Sequence, residues 1–263
     1  MNLVGIIGGT GVYDPAILKD VKDEVVDTEY GKARVKIGYY NDWQVAFMAR
    51  HGEDHSVPPH LINYRANIKA MQQLGVKRII ATAAVGSLNF DYGPGALVIV
   101  DQILDFTKSR VSTFYEGGTA GVVHVDVTDP YCPEIRKALF ESAKSLGLDA
   151  YLGGCYVCTE GPRFETGAEI RMYKQLGGDV VGMTTVPEAI LAREMGICYA
   201  TVAVVTNYAA GMVTGRLTHA EVVDYMKNNV TNVRKTIMKA VALIPDEYEC
   251  ECREILNEIG VQP

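Results

Sequence analysis

Leu3-Val4-Gly5-Ile6-Ile7-Gly8-Gly9-Thr10-Gly11 opens the chain as an apolar, branched run that passes straight into glycines. Such a run, bounded by a turn, reads as a strand buried on both faces. Comparable runs recur at 45–48, 78–82, 97–101, 156–159, 179–183 and 198–206. Between them apolar residues return at spacings of three and four. Leu61, Tyr64, Ile68 and Met71 make one such face, and Ile135, Leu139, Ala143 and Leu146 another. The longest face is Val222, Met226, Val230, Val233, Ile237, Val241 and Ile244, with Thr218 as its N-cap and Pro245 as its stop. Strands alternating with helices predict an α/β fold with a central mixed, mostly parallel sheet flanked by helices. With no repeat, low-complexity segment or linker, residues 1–263 read as a single domain with a C-terminal tail from about 246. The segment 108–130, with Gly117, Gly118 and Gly121, lacks periodicity and reads as a long loop, a kind of segment that is often functional.

The composition narrows the function. At 263 residues, 48% hydrophobic and 22% charged, the chain is that of a soluble globular protein. A net charge of −7 argues against binding nucleic acid in bulk, yet leaves room for a small phosphate site. No apolar run approaches the roughly 20 residues of a membrane helix. Met1 to Gly9 lacks the basic start of a signal peptide, so a cytoplasmic location is expected. Six cysteines in a long chain of this kind do not suggest a disulfide framework. Cys155 and Cys158, two residues apart, fall on a strand rather than at a helix start, unlike a thioredoxin pair. The spacing offers no second pair of zinc ligands.

In open α/β sheets ligands bind beyond the carboxyl ends of the strands, so the residues there matter most. Gly8-Gly9-Thr10-Gly11 would let backbone N–H groups approach an anion, with the Thr10 hydroxyl beside them. Its spacing meets neither the dinucleotide fingerprint nor the P-loop, and a plain tight turn reads equally well. Arg50-His51, with His55 beyond, suits an anion clamp of one fixed and one tunable cation. Ala83 and Ala84 leave the backbone open to a ligand or to close packing. Thr184 offers a donor and Met183 a surface for a flat ligand, although a Met serves core packing as readily. Asn207 supplies both donor and acceptor for a heterocycle, or else caps a turn. Glu165 precedes a helix, where the dipole favours a carboxylate, and His219 opens the longest helix. No Gly-x-Ser-x-Gly elbow is present.

Singly these signals are weak, but their order and spacing are specific. The segment from Gly5 to Gly11, Ala49-Arg50-His51-Gly52, Glu160-Gly161-Pro162-Arg163-Phe164 and Met183-Thr184-Thr185-Val186-Pro187-Glu188 together resemble the trimeric purine nucleoside phosphorylase superfamily. Its methylthioadenosine phosphorylase branch is the nearest, and the likeness runs from Gly5 to about Pro245. The resemblance implies a nucleoside phosphorylase fold and a phosphate site of Thr10, Arg50, His51, Thr184 and the Ala83–Ala84 backbone. It also implies a nucleoside site of Met183, Asn207, Tyr208, Ala209, Glu165 and His219, with Asn207, Glu165 and His51 catalytic. His124 resembles a residue that reaches the neighbouring subunit's site, which implies a homotrimer or a hexamer of two trimers. Inorganic phosphate would be the co-substrate, with no metal and no organic cofactor.

The departures from that branch choose the substrate. It usually has acids where this chain has Asn207 and Ala209, a small hydroxyl residue at Glu165 and an apolar one at His219. Glu165, Asn207 and His219 instead resemble the pattern of enzymes acting on 6-oxopurine nucleosides. A carboxylate at Glu165 can accept the N1 proton of hypoxanthine or guanine, whereas adenine presents a lone pair there. Such a mismatch costs about 1–3 kcal/mol. The expected reaction is a pentosyl transfer of purine salvage, in which inosine or guanosine and phosphate give the base and ribose 1-phosphate. S-methyl-5'-thioinosine phosphorolysis is the second expectation and methylthioadenosine phosphorolysis the third. A nucleotide-binding regulatory module built on the glycine turn is the rival from another class. Cys250-Glu251-Cys252 resembles a Cys-x-Cys that some heat-stable members hold as a disulfide, although two thiols on a tail helix is the preferred reading.

Overall fold

The computed structural model describes residues 3–9, 12, 17–215, 218–245 and 250–258, apart from the side chains of 219–221, 224, 228, 257 and 258. Thr10 and the side chain of His219 therefore lie outside the described residues. The opening run forms strand β1 (Leu3–Gly8), every residue of which after Leu3 is buried. Val4 and Ile6 pack on one face of the sheet and Ile7 on the other, which is why the run is apolar without alternation.

β1 pairs in parallel with β4 (Trp43–Ala49) and with β5 (Arg78–Ser87). β5 is the branch point. Along one edge it pairs in parallel with β11 (Cys198–Tyr208), and its last residues also pair antiparallel with β10 (Val180–Gly182). From β10 the sheet runs in parallel to β9 (Cys155–Thr159) and on to β7 (Gln102–Phe106). From β11 it runs through β6 (Leu97–Ile99) to β8 (Ala150–Leu152). At the far edge β2 (Lys19–Thr28) and β3 (Gly31–Tyr40) form an antiparallel hairpin against β4. The sheet is thus mixed and mostly parallel.

Helices cover both faces. α1 (Tyr64–Gln73) and α4 (Thr185–Glu194) bury Tyr64, Ile68, Met71, Val186 and Leu191 against one face. α2 (Pro133–Ser145) and α5 (His219–Leu243) bury Ile135, Leu139, Val233, Ile237 and Val241 against the other. α3 (Gly167–Gln175) packs Ile170 and Tyr173 on a third, smaller cluster. Among the described residues no helix is long and apolar enough to cross a membrane.

Two expectations change. The segments 83–87 and 207–208 lie inside β5 and β11, which run further than their apolar cores. The run 97–101 is divided between β6 and the approach to β7. Within the C-terminal tail, α6 (Glu251–Glu258) docks on α4, burying Cys252 and Ile255. The segment 108–130 is irregular as expected, apart from one short 3-10 turn at Gly118–Ala120.

Candidate active site

A cleft of about 1200 Å³ opens where the carboxyl ends of β5, β10 and β11 meet, walled on one side by α5. A register shift in β11 between Val205 and Asn207 bulges the strand, and Thr206 and Asn207 both line the cleft although they are neighbours. Gly86 makes the room: a Cβ there would come within 3.2 Å of the Asn207 amide and of the Ala209 backbone.

One corner of the cleft suits an oxyanion. Arg50 is buried, and its Nε and Nη2 grip the two carboxylate oxygens of Glu188 while Nη1 donates to the Thr82 carbonyl at 2.7 Å. Tyr199 Oη donates to Glu188 Oε2 at 2.7 Å. Burial alone would depress the Arg50 pKa, but the Glu188 carboxylate outweighs it and holds the guanidinium above its ordinary value. Three of the five guanidinium N–H groups are thereby used, and the other two remain for an anion. Thr184 stands directly before α4 with its hydroxyl making no cap bond, so the positive end of this helix faces the same corner. Ala83 and Ala84 line the corner too, with Ala84 exposed into the cleft in mid-strand.

His51 differs from a second fixed cation. Its Nδ1 lies 2.8 Å from the Val57 carbonyl, so Nδ1 carries the proton and Nε2 a lone pair. Burial, together with the Arg50 charge, pushes its pKa down to about 4. At neutral pH His51 is an acceptor, suited to the hydroxyl of a protonated phosphate rather than to its charged oxygens.

The opposite corner suits a polar heterocycle. Glu165 Oε1 accepts from Thr159 Oγ1 at 2.5 Å, and burial pushes its carboxyl above the ordinary carboxylate range. The capping box of α3, in which Thr166 and Glu169 bond reciprocally, fixes the chain just after Glu165. Asn207 Oδ1 accepts from Thr206 Oγ1 at 2.7 Å and Nδ2 donates to the Tyr208 carbonyl at 2.8 Å, leaving one N–H and one lone pair. Met183 lies between the two corners. A Cβ on Gly161 would come within 2.6 Å of the Met183 Sδ, and Gly161 holds a left-handed φ of 65°. Pro162 and Phe164 add an apolar wall, as do Val222, Val223, Met226 and Val230 of α5.

The structure thus brings together Arg50, His51, Ala83, Ala84, Glu165, Met183, Thr184, Asn207 and Ala209 in one cleft. It does not bring Tyr208 there. Strand alternation turns its ring against Phe90, with centroids 5.6 Å apart. His124 is exposed and lies outside the cleft of its own chain. Sequence reasoning missed Glu188 and Tyr199, which position Arg50. It also missed Arg110, from the long loop, which donates to the carbonyls of Thr159, Glu160 and Met183 and so holds β9 and the Met183 backbone together. The loop is further tied to α4, where Glu194 accepts from Thr113 Oγ1 and the Phe114 amide. Arg110 carried no local signal, whereas Phe164 and Glu188 stood within motifs already singled out.

An oxyanion corner and a heterocycle corner that share one cleft define an enzyme class: one that transfers a group from a heterocycle to an oxyanion. Residues 3–242 match the model of the Phosphorylase superfamily, and the chain belongs to that superfamily. It is 57% identical over 263 residues to the 6-oxopurine nucleoside phosphorylase of Pyrococcus furiosus, covering 98% of each chain. It is 49% identical to the probable S-methyl-5'-thioinosine phosphorylase of Methanopyrus kandleri, again covering 98% of each. Among solved structures, a methylthioadenosine phosphorylase from an antarctic soil metagenomic library superposes with a TM-score of 0.91. That structure is 38% identical, over 97% of this chain and 91% of the other.

Proposed function

We propose that the protein is a purine nucleoside phosphorylase specific for 6-oxopurine nucleosides, converting inosine or guanosine and phosphate to the free base and ribose 1-phosphate. The observation that carries this reading is the pairing of Glu165 with Asn207 opposite the Arg50–Thr184 corner. Phosphate binds between Arg50, Thr184 and the α4 N-terminus, with its hydroxyl directed to His51. The C1'–N9 bond loosens, a phosphate oxygen attacks C1', and the bonding pair leaves on the purine. Asn207 steadies that charge through its amide N–H at N7, Glu165 accepts a hydrogen bond from N1–H, and the purine anion takes up a proton from solvent to leave as the free base. These groups act as preorganised electrostatics, and holding phosphate at the correct face adds proximity. No metal and no organic cofactor enters these steps. The assembly is a homotrimer or a hexamer of two trimers in the cytoplasm, with His124 exposed to serve a neighbour's cleft; the family resemblance gives Thr10 a phosphate role and His219 a 5' role.

The apolar α5 wall of Val222, Val223 and Met226 favours one second reading. It suits a 5'-methylthio group, which makes S-methyl-5'-thioinosine the competing 6-oxopurine substrate. Comparing kcat/KM for phosphate-dependent cleavage of inosine, guanosine, methylthioinosine, adenosine and methylthioadenosine separates the two. Inosine and guanosine ahead supports the main reading. Methylthioinosine ahead by tenfold, about 1.4 kcal/mol, transfers the assignment to the second. Methylthioadenosine ahead overturns both.

A further inference from the structure

The structure gathers four cysteines that the sequence scatters. Cys132, Cys198, Cys250 and Cys252 have their sulfurs all within 4.8 Å of one another, and Cys132 Sγ lies 3.7 Å from Cys250 Sγ. Cys132, Cys198 and Cys252 are buried and Cys250 is half-buried. None of the four is in a disulfide. They come from three separate elements: Cys132 is the N-cap of α2, Cys198 the first residue of β11, and Cys250 and Cys252 flank the first residue of α6. Backbone bonds fix this meeting, from the Cys132 amide to the Tyr199 carbonyl at 2.8 Å and from the Cys198 amide to the Lys77 carbonyl at 3.0 Å.

We propose that these four cysteines form a structural tetrathiolate site for a tetrahedral transition-metal ion, zinc foremost. Four sulfurs around zinc at about 2.3 Å stand roughly 3.8 Å apart, the spacing already held by Cys132 and Cys250. An all-sulfur donor set excludes hard ions such as magnesium and calcium and selects zinc or iron. Uptake of a divalent ion by four thiols releases four protons to solvent and leaves a cage of charge about −2. The N-termini of α2 and α6 both begin at the cage, and their positive ends offset that charge. Four protein ligands leave no open position, which marks the ion as structural. The site is also remote from the cleft. Cys198 and Asn207 stand at opposite ends of β11, nine residue steps or about 30 Å apart. The ion would staple the C-terminal helix to two elements more than fifty residues upstream.

Metal analysis of the full chain, purified under reducing conditions without chelator, tests this. One zinc or iron per chain is expected, with all six cysteines titrating as thiols after denaturation without reductant. Cobalt substitution should give the thiolate-to-metal charge-transfer band and the d–d bands of a tetrahedral site. Cys252→Ser should lose the ion while Cys155→Ser keeps it, and chelation should lower Tm while leaving kcat/KM at moderate temperature unchanged. Two results would overturn the proposal: no stoichiometric metal after reconstitution with zinc under reductant, or the four residues found as disulfides. The metal content and the cobalt spectrum are read on the native chain, so the test stands even if Cys252→Ser does not fold.

Discussion

At the scale of single residues, buried charge sets the chemistry, and two side chains carry opposite lessons. Glu165 has its carboxyl pushed above the ordinary range because it is largely withdrawn from water, so holding it ionised at neutral pH costs folding energy. Glu165→Gln removes that cost and keeps the bond from Thr159. We predict a Tm that is unchanged or raised, together with a 10- to 100-fold fall in kcat/KM for inosine. That fall corresponds to about 1.4–2.7 kcal/mol. Equal activity of the variant would remove Glu165 from base recognition. His51 runs the other way, with its folded pKa of about 4 below its unfolded value of about 6.5. The unfolded chain then binds a proton that the native ring refuses. The His51 contribution is present in full above about pH 6.5 and is lost as the pH falls toward 4. Melting curves of the wild type and His51→Gln across pH 7 to 4.5 should show a shallower loss in the variant. Parallel curves would mean that His51 is not held neutral. Glu188 shows the third case, a buried partner without which Arg50 stands as an uncompensated charge. Glu188→Ala should cost about 3–5 kcal/mol of stability and raise KM for phosphate. Urea unfolding and phosphate saturation measure the two effects.

At the scale of elements, the cleft depends on where strands and helices stop. The bulge in β11 turns Thr206 and Asn207 inward together, and Gly86 in β5 leaves them space. Gly86→Val should abolish turnover of inosine with little change in circular dichroism, because the new methyls would occupy the place of the Asn207 amide. Normal turnover would show that β11 can shift to accommodate them. The capping box of α3 works at longer reach. Thr166→Ala should cost about 1 kcal/mol of stability by denaturant melt, since one end of the reciprocal pair is lost. The β2–β3 hairpin shows why some elements escape a reading by apolar periodicity. The outer strand β2 is mostly exposed and charged and presents no apolar pattern, whereas β3 alternates, with Ala33 and Val35 buried between Lys32, Arg34 and Lys36; Lys36 bridges Asp23 and Glu53, and the charges of β2 keep the sheet edge from pairing with other chains.

At the scale of the whole molecule, the cleft is assembled from β1 to α5, nearly the length of the chain, and its fixed points are contacts between distant segments. Arg50 meets Glu188 across 138 residues and Arg110 meets the Met183 carbonyl across 73. The sequence by itself determined the alternation of buried strands and amphipathic helices, because burial on both faces of a sheet and on one face of a helix writes different periods into the chain. It also placed Arg50, Glu165, Thr184 and Asn207 near strand and helix ends, where local chemistry is visible. Only the tertiary structure decided that Arg50 is held by Glu188, that His51 is neutral, that Tyr208 turns away and that Arg110 ties β9 to the Met183 backbone. Only it brought Cys132 and Cys198 to Cys250 and Cys252. Ligand spacing along a chain can reveal a site within one segment. A charge, a pKa or a thiol cage that depends on partners a hundred residues away is set by the packing of the sheet that brings them together.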